Sequence, residues 1–185
     1  MALTHQKNKP HHNYSNVNFD AFKGTAIPSQ QIKDVDFGNK NVLIIGINQM
    51  IVTHLNGIVQ HASSVKVFQN RPAFIIPNSE TKIANLIYHP LIRKNRRLFS
   101  QRIKSLIAMR FLDIEVQDQW LKSQLTPNLA HVKKMFLKSD KYYLALQKPN
   151  CQLITWPIID VFSESIQTVN QENHAGDLII FAENE

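Results

Sequence analysis

Residues 40–77 read KNVLIIGINQMIVTHLNGIVQHASSVKVFQNRPAFIIP, and they predict the unit around which the rest of the chain is organised. Val42 to Ile45 form an uninterrupted apolar run with three β-branched residues, which predicts a parallel strand buried on both faces. Gly46 follows at once and predicts a tight turn. A second apolar run, Val65 to Phe68, predicts the next strand.

Between the two runs, apolar residues recur at steps of three and four, which predicts one buried face of a helix. These residues are Ile51, Val52, Leu55, Ile58 and Val59. Asn48 precedes them and is a residue type that caps helix N-termini. A strand, a glycine turn, a helix and a strand within about thirty residues form a βαβ unit, which in dinucleotide-binding folds places a pyrophosphate on the helix N-terminus.

The glycine fingerprint of such a unit, G-x-G-x-x-G, is incomplete, because residues 46–51 read GINQMI. Asn48 stands where the backbone must approach the phosphates, and Ile51 stands where helix and strand must pack closely. We expect binding to be weakened or lost, and a plain βαβ unit without a ligand also explains the pattern. The candidate pyrophosphate contacts are Gly46, Ile47, Asn48 and Gln49.

The second strand is followed by Gln69, Asn70 and Arg71, at the position where an acidic residue would accept the ribose 2′-hydroxyl of NAD. An arginine and an amide suit a 2′-phosphate better, so the sequence favours NADP over NAD. The alternative is that Arg71 is only an exposed loop cation.

Length, composition and charge limit the classes of protein to which the chain can belong. The chain has 185 residues, about the size of one domain, and its single cysteine, Cys151, excludes an internal disulfide and a cysteine zinc site. No apolar run approaches the roughly eighteen residues of a membrane span, and the N-terminus does not read as a secretory signal. We therefore expect a soluble cytoplasmic protein. Its net charge of +7 favours anionic partners such as nucleotides, nucleic acids or acidic lipid surfaces.

Residues 1–18 are polar and lack an apolar period, which predicts a disordered tail before a single domain at 19–185. The tail contains the pair His11 and His12, but no carboxylate or thiolate cluster accompanies them, so we expect no metal site. Residues 19–37 contain Gly24 and Pro28 and are predicted to be turns leading into the first strand.

Residues 79–124 predict a basic helical insertion. Its apolar positions are Phe99, Ile103, Leu106, Ile107 and Phe111, and its cations are Arg93, Lys94, Arg96, Arg97, Arg102, Lys104 and Arg110. Three interpretations stay open: a helix packed on the domain with a solvated face, a helix from Arg93 to Arg110 on a membrane surface, and a nucleic-acid contact. Nucleic acid is the least favoured, because few aromatics separate the cations and no binding module is recognised.

The remainder of the chain returns to short strands. Residues 140–146 predict a helix, 151–155 a strand, 158–162 and 166–169 a small β-meander, and 177–181 a last buried strand. The predicted fold is therefore α/β, a Rossmann-like parallel sheet with flanking helices, the helical insertion and the meander.

Several short motifs occur in an order that resembles a known family. They are DFGNKNVLIIG at 36–46, VKVFQ at 65–69, LTP at 125–127, Lys134, SD at 139–140, YY at 142–143, PN at 149–150, PI at 157–158 and DLIIFA at 177–182. From about residue 19 onward the chain resembles the NADPH-binding half of class B flavin monooxygenases, the Baeyer-Villiger type.

That resemblance implies an enzyme in which NADPH reduces FAD and the reduced flavin uses oxygen to oxidise a ketone, an alkyl chain or a soft heteroatom. It also implies that Gly46 matches the first glycine of the NADP motif and Lys134 a lysine that holds the 2′-phosphate. Asn70 occupies the position of a family arginine, which the neighbouring Arg71 could replace.

The departures from the family fall on functional positions. A flavin-binding βαβ unit is expected before residue 20 and is not seen there. Pro28 and Ile32 replace the histidine and tryptophan of the family linker motif, and Met135 replaces an arginine that steadies the flavin intermediate. After Ala182 the family's Thr-Gly reads Glu-Asn.

No catalytic residue is therefore predicted. We expect a degenerate domain, a pseudoenzyme rather than a monooxygenase by itself, that binds NADP weakly or serves as a protein-interaction module, and that meets FAD only through a separate flavin-domain chain. The alternative is the NADPH half of a split monooxygenase whose partner supplies the FAD domain. Self-association into a homo-oligomer is also considered.

Overall fold

The structure, a computed structural model, describes residues 17–87, 101–130 and 133–182. The strands are β1 (Thr25–Pro28), β2 (Asn41–Ile45), β3 (Ser64–Phe68), β4 (Phe74–Ile76), β5 (Phe136–Lys138), β6 (Cys151–Ile154), β7 (Ile158–Val161), β8 (Ser165–Thr168), β9 (Asn173–Ala175) and β10 (Leu178–Phe181). The α-helices are α1 (Gln49–His61), α2 (Glu80–Ile87), α3 (Gln101–Glu115), α4 (Gln119–Leu125) and α5 (Tyr142–Leu146). Short 3-10 helices span Phe19–Ala21 and Ser29–Asp34.

Five parallel strands form the central sheet in the order β1-β10-β2-β3-β6. Because successive side chains of a strand point to opposite faces, β2 supplies both cores. Val42 and Ile44 pack with the helices on one face, and Leu43 and Ile45 pack with the meander on the other. The predicted Rossmann-like α/β fold is confirmed.

Helix α1 begins as the sequence predicts, with Asn48 as its cap. The Asn48 Oδ1 accepts a hydrogen bond from the Ile51 N–H at 3.0 Å. All five predicted apolar positions of this helix are buried against the sheet. This agreement is expected where local propensity and tertiary burial favour the same face.

The opposite face of the sheet is covered by the antiparallel meander β7-β8-β9. The sequence predicts its first two strands but misses β9, whose three residues, Asn-His-Ala, have no apolar alternation. His174 in β9 is buried, contacts the Phe68 ring edge-on, and lies 3.0 Å from the Thr168 hydroxyl. Burial and the nearby Lys66 lower the pKa of His174, although Glu172 opposes them, so its neutral form is favoured.

Three further short strands, besides β9, lie outside the predicted elements. The sequence predicts turns around Gly24 and Pro28, yet residues 25–28 pair with β10 as the edge strand β1, where a terminal proline such as Pro28 is tolerated. Strands β4 and β5 have three residues each and pair in parallel, Phe74 opposite Phe136. Segments this short acquire strand geometry only from a partner that is distant in sequence.

The helical insertion also differs in detail from the prediction. Helix α3 buries Ile107 and Phe111 as expected, but Leu106 is exposed and Ser105 is buried. The cations Arg102 and Arg110 are exposed on this helix. Residues 93–97, on which the membrane-surface interpretation depends, lie outside the described residues. Across the described ranges, every helix is too short or too polar to cross a membrane.

The helix predicted for residues 140–146 begins two residues later, as α5, for a local reason. The Ser139 hydroxyl accepts the backbone N–H of Tyr142 at 3.1 Å and so defines the helix start. The Asp140 carboxylate instead accepts the N–H groups of Asn78 and Ser79, just before α2. Asp140 therefore connects two segments rather than extending the helix.

Candidate functional site

The carboxyl ends of all five central strands meet at one edge of the sheet, which we call the carboxyl edge. Ser29, Gly46, Gln69 and Ala182 each directly follow one of these strands. The chain leaves β2 for β3 on one side, while β10 pairs with β2 on the other. In open parallel sheets, ligands bind in the crevice at such a switch in strand order.

The turn after β2 requires a glycine. Gly46 has φ +79°, in the left-handed region, and its N–H donates to the backbone oxygen of Phe68 at 2.9 Å. A Cβ at Gly46 would lie 3.4 Å from the Cβ of Ala182. The turn therefore has the conformation that the first glycine of a dinucleotide fingerprint supplies.

Asn48, the side chain expected in the path of the phosphates, is used to fix the helix start. Besides capping Ile51, its Nδ2 donates to the Ser29 hydroxyl at 2.8 Å, and Ser29 is fully buried. The Ile51 N–H, one of the donors that an anion at this helix end would use, is thus already occupied. Ile47 is buried in the helix-side core, so its side chain does not line the crevice.

The side chain of Gln49 is likewise bound within the protein. Its Nε2 donates to the backbone oxygen of Lys138 at 2.8 Å, and its Oε1 accepts the Lys138 N–H at 2.9 Å. This two-point contact joins the first turn of α1 to β5.

Gln69 is buried at the end of β3 and has two partners. Its Nε2 donates to the backbone oxygen of Arg71 at 3.1 Å, and its Oε1 accepts the hydroxyl of Tyr142 at 2.5 Å. Burial raises the pKa of Tyr142 well above its usual value, so the hydroxyl stays protonated and donates. Gln69 shapes the loop after β3, on which Asn70 and Arg71 are exposed.

The pairing of β4 with β5 joins the segment that follows Arg71 to the segment that follows Lys134, although the sequence separates them widely. The Phe74 N–H donates to the Met135 oxygen at 2.9 Å, so the residues just before β4 and β5 lie together. The Lys134 ammonium donates to the Ser105 hydroxyl at 3.3 Å and lies 5.6 Å from the Phe74 ring centroid. Lys134 is thus partly enclosed, while Arg71, the other predicted phosphate cation, is exposed.

Four partners of the predicted site residues were missed: Ser29, Lys138, Tyr142 and Ser105. The Tyr-Tyr pair at 142–143 was noted as part of a family pattern, but its hydrogen bond to Gln69 has no local signal. Met135, where the resemblance implies an arginine, is 47% exposed and brings no charge. Residues 183–184, the other implied flavin contact, lie outside the described residues.

Other chemistries find little support in the described residues. Within them, no group of three His, Cys, Asp or Glu side chains is arranged to hold a metal ion, while His11 and His12 lie outside. Cys151 is buried, and burial raises the pKa of its thiol to about 12. A thiol that stays protonated is a poor nucleophile.

The carboxyl edge fits the two ends of a dinucleotide unequally. At the end of β3, the exposed Arg71 offers positive charge, while Lys134 is bonded to Ser105. Near the pyrophosphate position, the glycine turn is present, but Asn48 occupies both space and a helix donor. The Asn48 cap therefore restricts access to the start of α1, whereas the loop after β3 leaves Arg71 exposed.

Comparison with known proteins tests the family resemblance. No family model matches the chain. It is 29% identical to an FAD-binding monooxygenase of Aspergillus niger, over 80% of this chain and 28% of that protein. It is 27% identical to a Baeyer-Villiger monooxygenase of Pseudomonas aeruginosa, over 86% of this chain and 35% of that protein.

The fold is also found in solved structures. An oxidised steroid monooxygenase bound to NADP superposes with a TM-score of 0.66 at 18% identity, covering 95% of this chain and 44% of that one. An open structure of cyclohexanone monooxygenase gives 0.67 at 15% identity, covering 97% and 45%. The chain thus spans about a third of the curated relatives and under half of the solved chains. The resemblance seen in the sequence is confirmed: the chain is similar in sequence to FAD-binding and Baeyer-Villiger monooxygenases and shares their fold.

Proposed function

We propose that this chain is an NADP-binding-type module of the flavin-monooxygenase fold that binds NADP(H) weakly and does not catalyse monooxygenation by itself. One observation carries the proposal: the Asn48 side chain caps α1 and bonds to the buried Ser29 at the point where a pyrophosphate would enter. Cytoplasmic location and a role as a protein-interaction module belong to the same proposal.

Weak binding follows from the cost of moving Asn48. A pyrophosphate that takes the Ile51 N–H must displace the cap, which is worth about 0.5–2 kcal/mol, and leave the Ser29 hydroxyl without this partner. The N–H groups of the first helical turn still point at the crevice and favour an anion. From these opposing effects we expect a dissociation constant of about 1 mM rather than 1 μM.

Preference for NADP(H) over NAD(H) follows from the cations near the end of β3. Arg71 is exposed and can reach a 2′-phosphate, and an arginine binds phosphate with two parallel hydrogen bonds. Lys134 must leave Ser105 or share it in order to take part. We therefore assign the main phosphate contact to Arg71 and a supporting one to Lys134.

The absence of catalysis follows from what the chain offers to a flavin. The resemblance implies that FAD supplies the oxygen chemistry and that a positive charge lies beside it at position 135. Met135 is exposed and uncharged. Losing one group that stabilises developing charge typically lowers a rate by about 100- to 1,000-fold.

The test is a thermal-shift titration of the full chain with NADPH and with NADH. A ligand at ten times its dissociation constant adds about 1.4 kcal/mol of stability, so NADPH near 10 mM should raise the melting temperature and NADH should raise it less. No shift with either cofactor contradicts the proposal, and equal shifts contradict the 2′-phosphate assignment.

A gain-of-affinity variant sharpens the test. Asn48→Gly restores the second glycine of the fingerprint and frees the Ile51 N–H, so NADPH affinity should rise about tenfold. The matched control is Asn39→Gly, because Asn39 has φ 57° and precedes β2 at the opposite edge of the sheet. If both variants bind NADPH like the parent, Asn48 does not obstruct the site.

A second candidate, the NADPH half of a split monooxygenase, is favoured by exposed apolar residues near the carboxyl edge. Trp156, two residues beyond β6, is 54% exposed, and Met135 is also exposed. Such surface suits cover by another chain, here a separate flavin domain. If a neighbouring reading frame encodes an FAD-binding protein, mixing the two should produce oxygen-dependent NADPH oxidation; an inert mixture contradicts this candidate.

A further inference from the structure

A second concave site lies away from the carboxyl edge, between the later half of α1 and the segment that precedes β2. It is an open groove of about 310 Å³, and its apolar base includes Phe37 and Ile58. This volume is at the lower end of the range for small-molecule sites, about 300–1,000 Å³. The groove shares no residue with the predicted nucleotide contacts.

Gly57 keeps the groove open. It lies in the middle of the thirteen-residue helix α1, where a glycine costs about 1 kcal/mol relative to alanine. A Cβ at Gly57 would meet nothing within 4 Å, so packing inside this chain does not require a glycine there. Its effect is to expose helix backbone to whatever enters the groove.

Two histidines flank Gly57 on the same stripe of the helix. His54, Gly57 and His61 are spaced by three and four residues and all line the groove. The His61 Nδ1 lies 2.8 Å from the backbone oxygen of Gly57. A carbonyl oxygen only accepts, so Nδ1 carries the hydrogen and the ring is held along the helix, and Nε2 of the neutral ring is then an acceptor.

The opposite rim carries one cation and one carboxylate. Lys33 is exposed on this rim. The Asp36 carboxylate also lines the groove but accepts the Gly38 N–H at 2.9 Å. The groove therefore offers Lys33 and the His54 imidazole to an anion, against one carboxylate that already has a donor. Because no group of metal-binding side chains is assembled among the described residues, an organic ligand is the better match.

We propose that this groove binds an aromatic carboxylate, whose flat ring lies over Gly57 against Ile58 and Phe37 and whose carboxylate pairs with Lys33 and His54. The apolar base favours the ring through burial, and the missing side chain at Gly57 supplies the slot that a ring needs. The Lys33 ammonium orients the acid group. This site is independent of the proposed NADP(H) site.

The experiment is an isothermal titration of the full chain with 2-naphthoate as the probe. We expect a dissociation constant below about 1 mM, and weaker binding of the uncharged 2-naphthalenemethanol. Gly57→Leu fills the slot and should weaken naphthoate binding at least about tenfold. Because leucine is a better helix former than glycine, this variant should be folded with a raised melting temperature.

The matched control is Gln60→Leu, an exposed position of α1 that does not line the groove, and it should bind naphthoate like the parent. The proposal is overturned by any of three results: no saturable binding up to about 10 mM, unchanged affinity in Gly57→Leu, or tighter binding of 2-naphthylmethylamine than of naphthoate. The NADPH thermal shift of Gly57→Leu should equal that of the parent. The groove proposal and the NADP(H) proposal are therefore tested separately.

Discussion

The turn after β2 and the loop after β3 lie at the same edge of the sheet, but the protein uses their side chains differently. In the turn, Asn48 is bonded to Ser29 and Gln49 to Lys138. In the loop, Gln69 is tied down by a buried hydrogen bond, while Asn70 and Arg71 project from the surface.

This difference shows at which side chains the binding of a ligand would cost internal hydrogen bonds. Groups that already hold internal hydrogen bonds must give them up before they can bind a phosphate, and an exposed arginine need not. The turn should therefore respond to mutation mainly through stability, and the exposed part of the loop mainly through binding.

The largest effect is expected at Gly46. Gly46→Val forces a β-branched residue into the left-handed region and toward Ala182, and should lower the free energy of unfolding by about 3 kcal/mol. Urea denaturation measures this change in the free energy of unfolding. Gly57→Val is the matched control, because that glycine is helical and open, and it should change stability little. Equal losses in both variants would show that the turn has no special conformation.

Asn48→Ala should lower the free energy of unfolding by about 2 kcal/mol. It removes the helix cap and also leaves the buried Ser29 hydroxyl without its partner. Asn48→Asp keeps an oxygen that can accept from both Ile51 and Ser29, so it should retain most of the stability in the same urea titration. A loss in the aspartate variant as large as in the alanine variant would contradict the capping role.

Tyr142→Phe should cost about 1–2 kcal/mol, because it leaves the Gln69 Oε1 buried without its donor. Chemical denaturation near pH 7 gives the value. Tyr143→Phe is the comparison, since among the described residues its hydroxyl shows no hydrogen bond to a side chain, and it should cost less. A larger loss of stability in Tyr143→Phe than in Tyr142→Phe would contradict the role of Gln69 in holding the loop.

Alkaline pH should weaken the same buried region. Burial raises the pKa of Tyr142, of Tyr143 and of Cys151, so their neutral forms are favoured in the folded chain. Their contribution to the free energy of unfolding is complete below about pH 9. It is lost as the pH rises further, because the unfolded chain releases these protons at lower pH than the folded chain does. Tyr142→Phe should show a shallower loss of stability between pH 9 and pH 11; an unchanged slope would assign the loss to other groups.

The smallest effect on stability is expected at Arg71. Arg71→Ala is a surface change and should alter the free energy of unfolding by less than about 0.5 kcal/mol, yet it should remove most of the preference for NADPH over NADH in thermal-shift titrations. Lys23→Ala, an exposed cation before β1, is the control. If Arg71→Ala keeps the preference for NADPH over NADH, the phosphate contact belongs to Lys134 or to another residue.

Local patterns were sufficient for much of the fold. Strands β2, β3 and β10, helix α1 and its Asn48 cap are each defined by an apolar run or period within a few residues, so neighbours in the chain specify them. The short strands β1, β4, β5 and β9 carry no such pattern. Each exists because a partner strand completes its hydrogen bonds.

The sequence by itself determined the βαβ unit, the glycine turn, the incomplete fingerprint and the resemblance to flavin monooxygenases, because these depend on residue type and spacing along the chain. Tertiary structure alone decided that Asn48 bonds to Ser29, that Gln49 bonds to Lys138, and that Tyr142 bonds to Gln69. These contacts join residues from 19 to 89 positions apart, and only the packing of the sheet brings such residues within hydrogen-bonding distance.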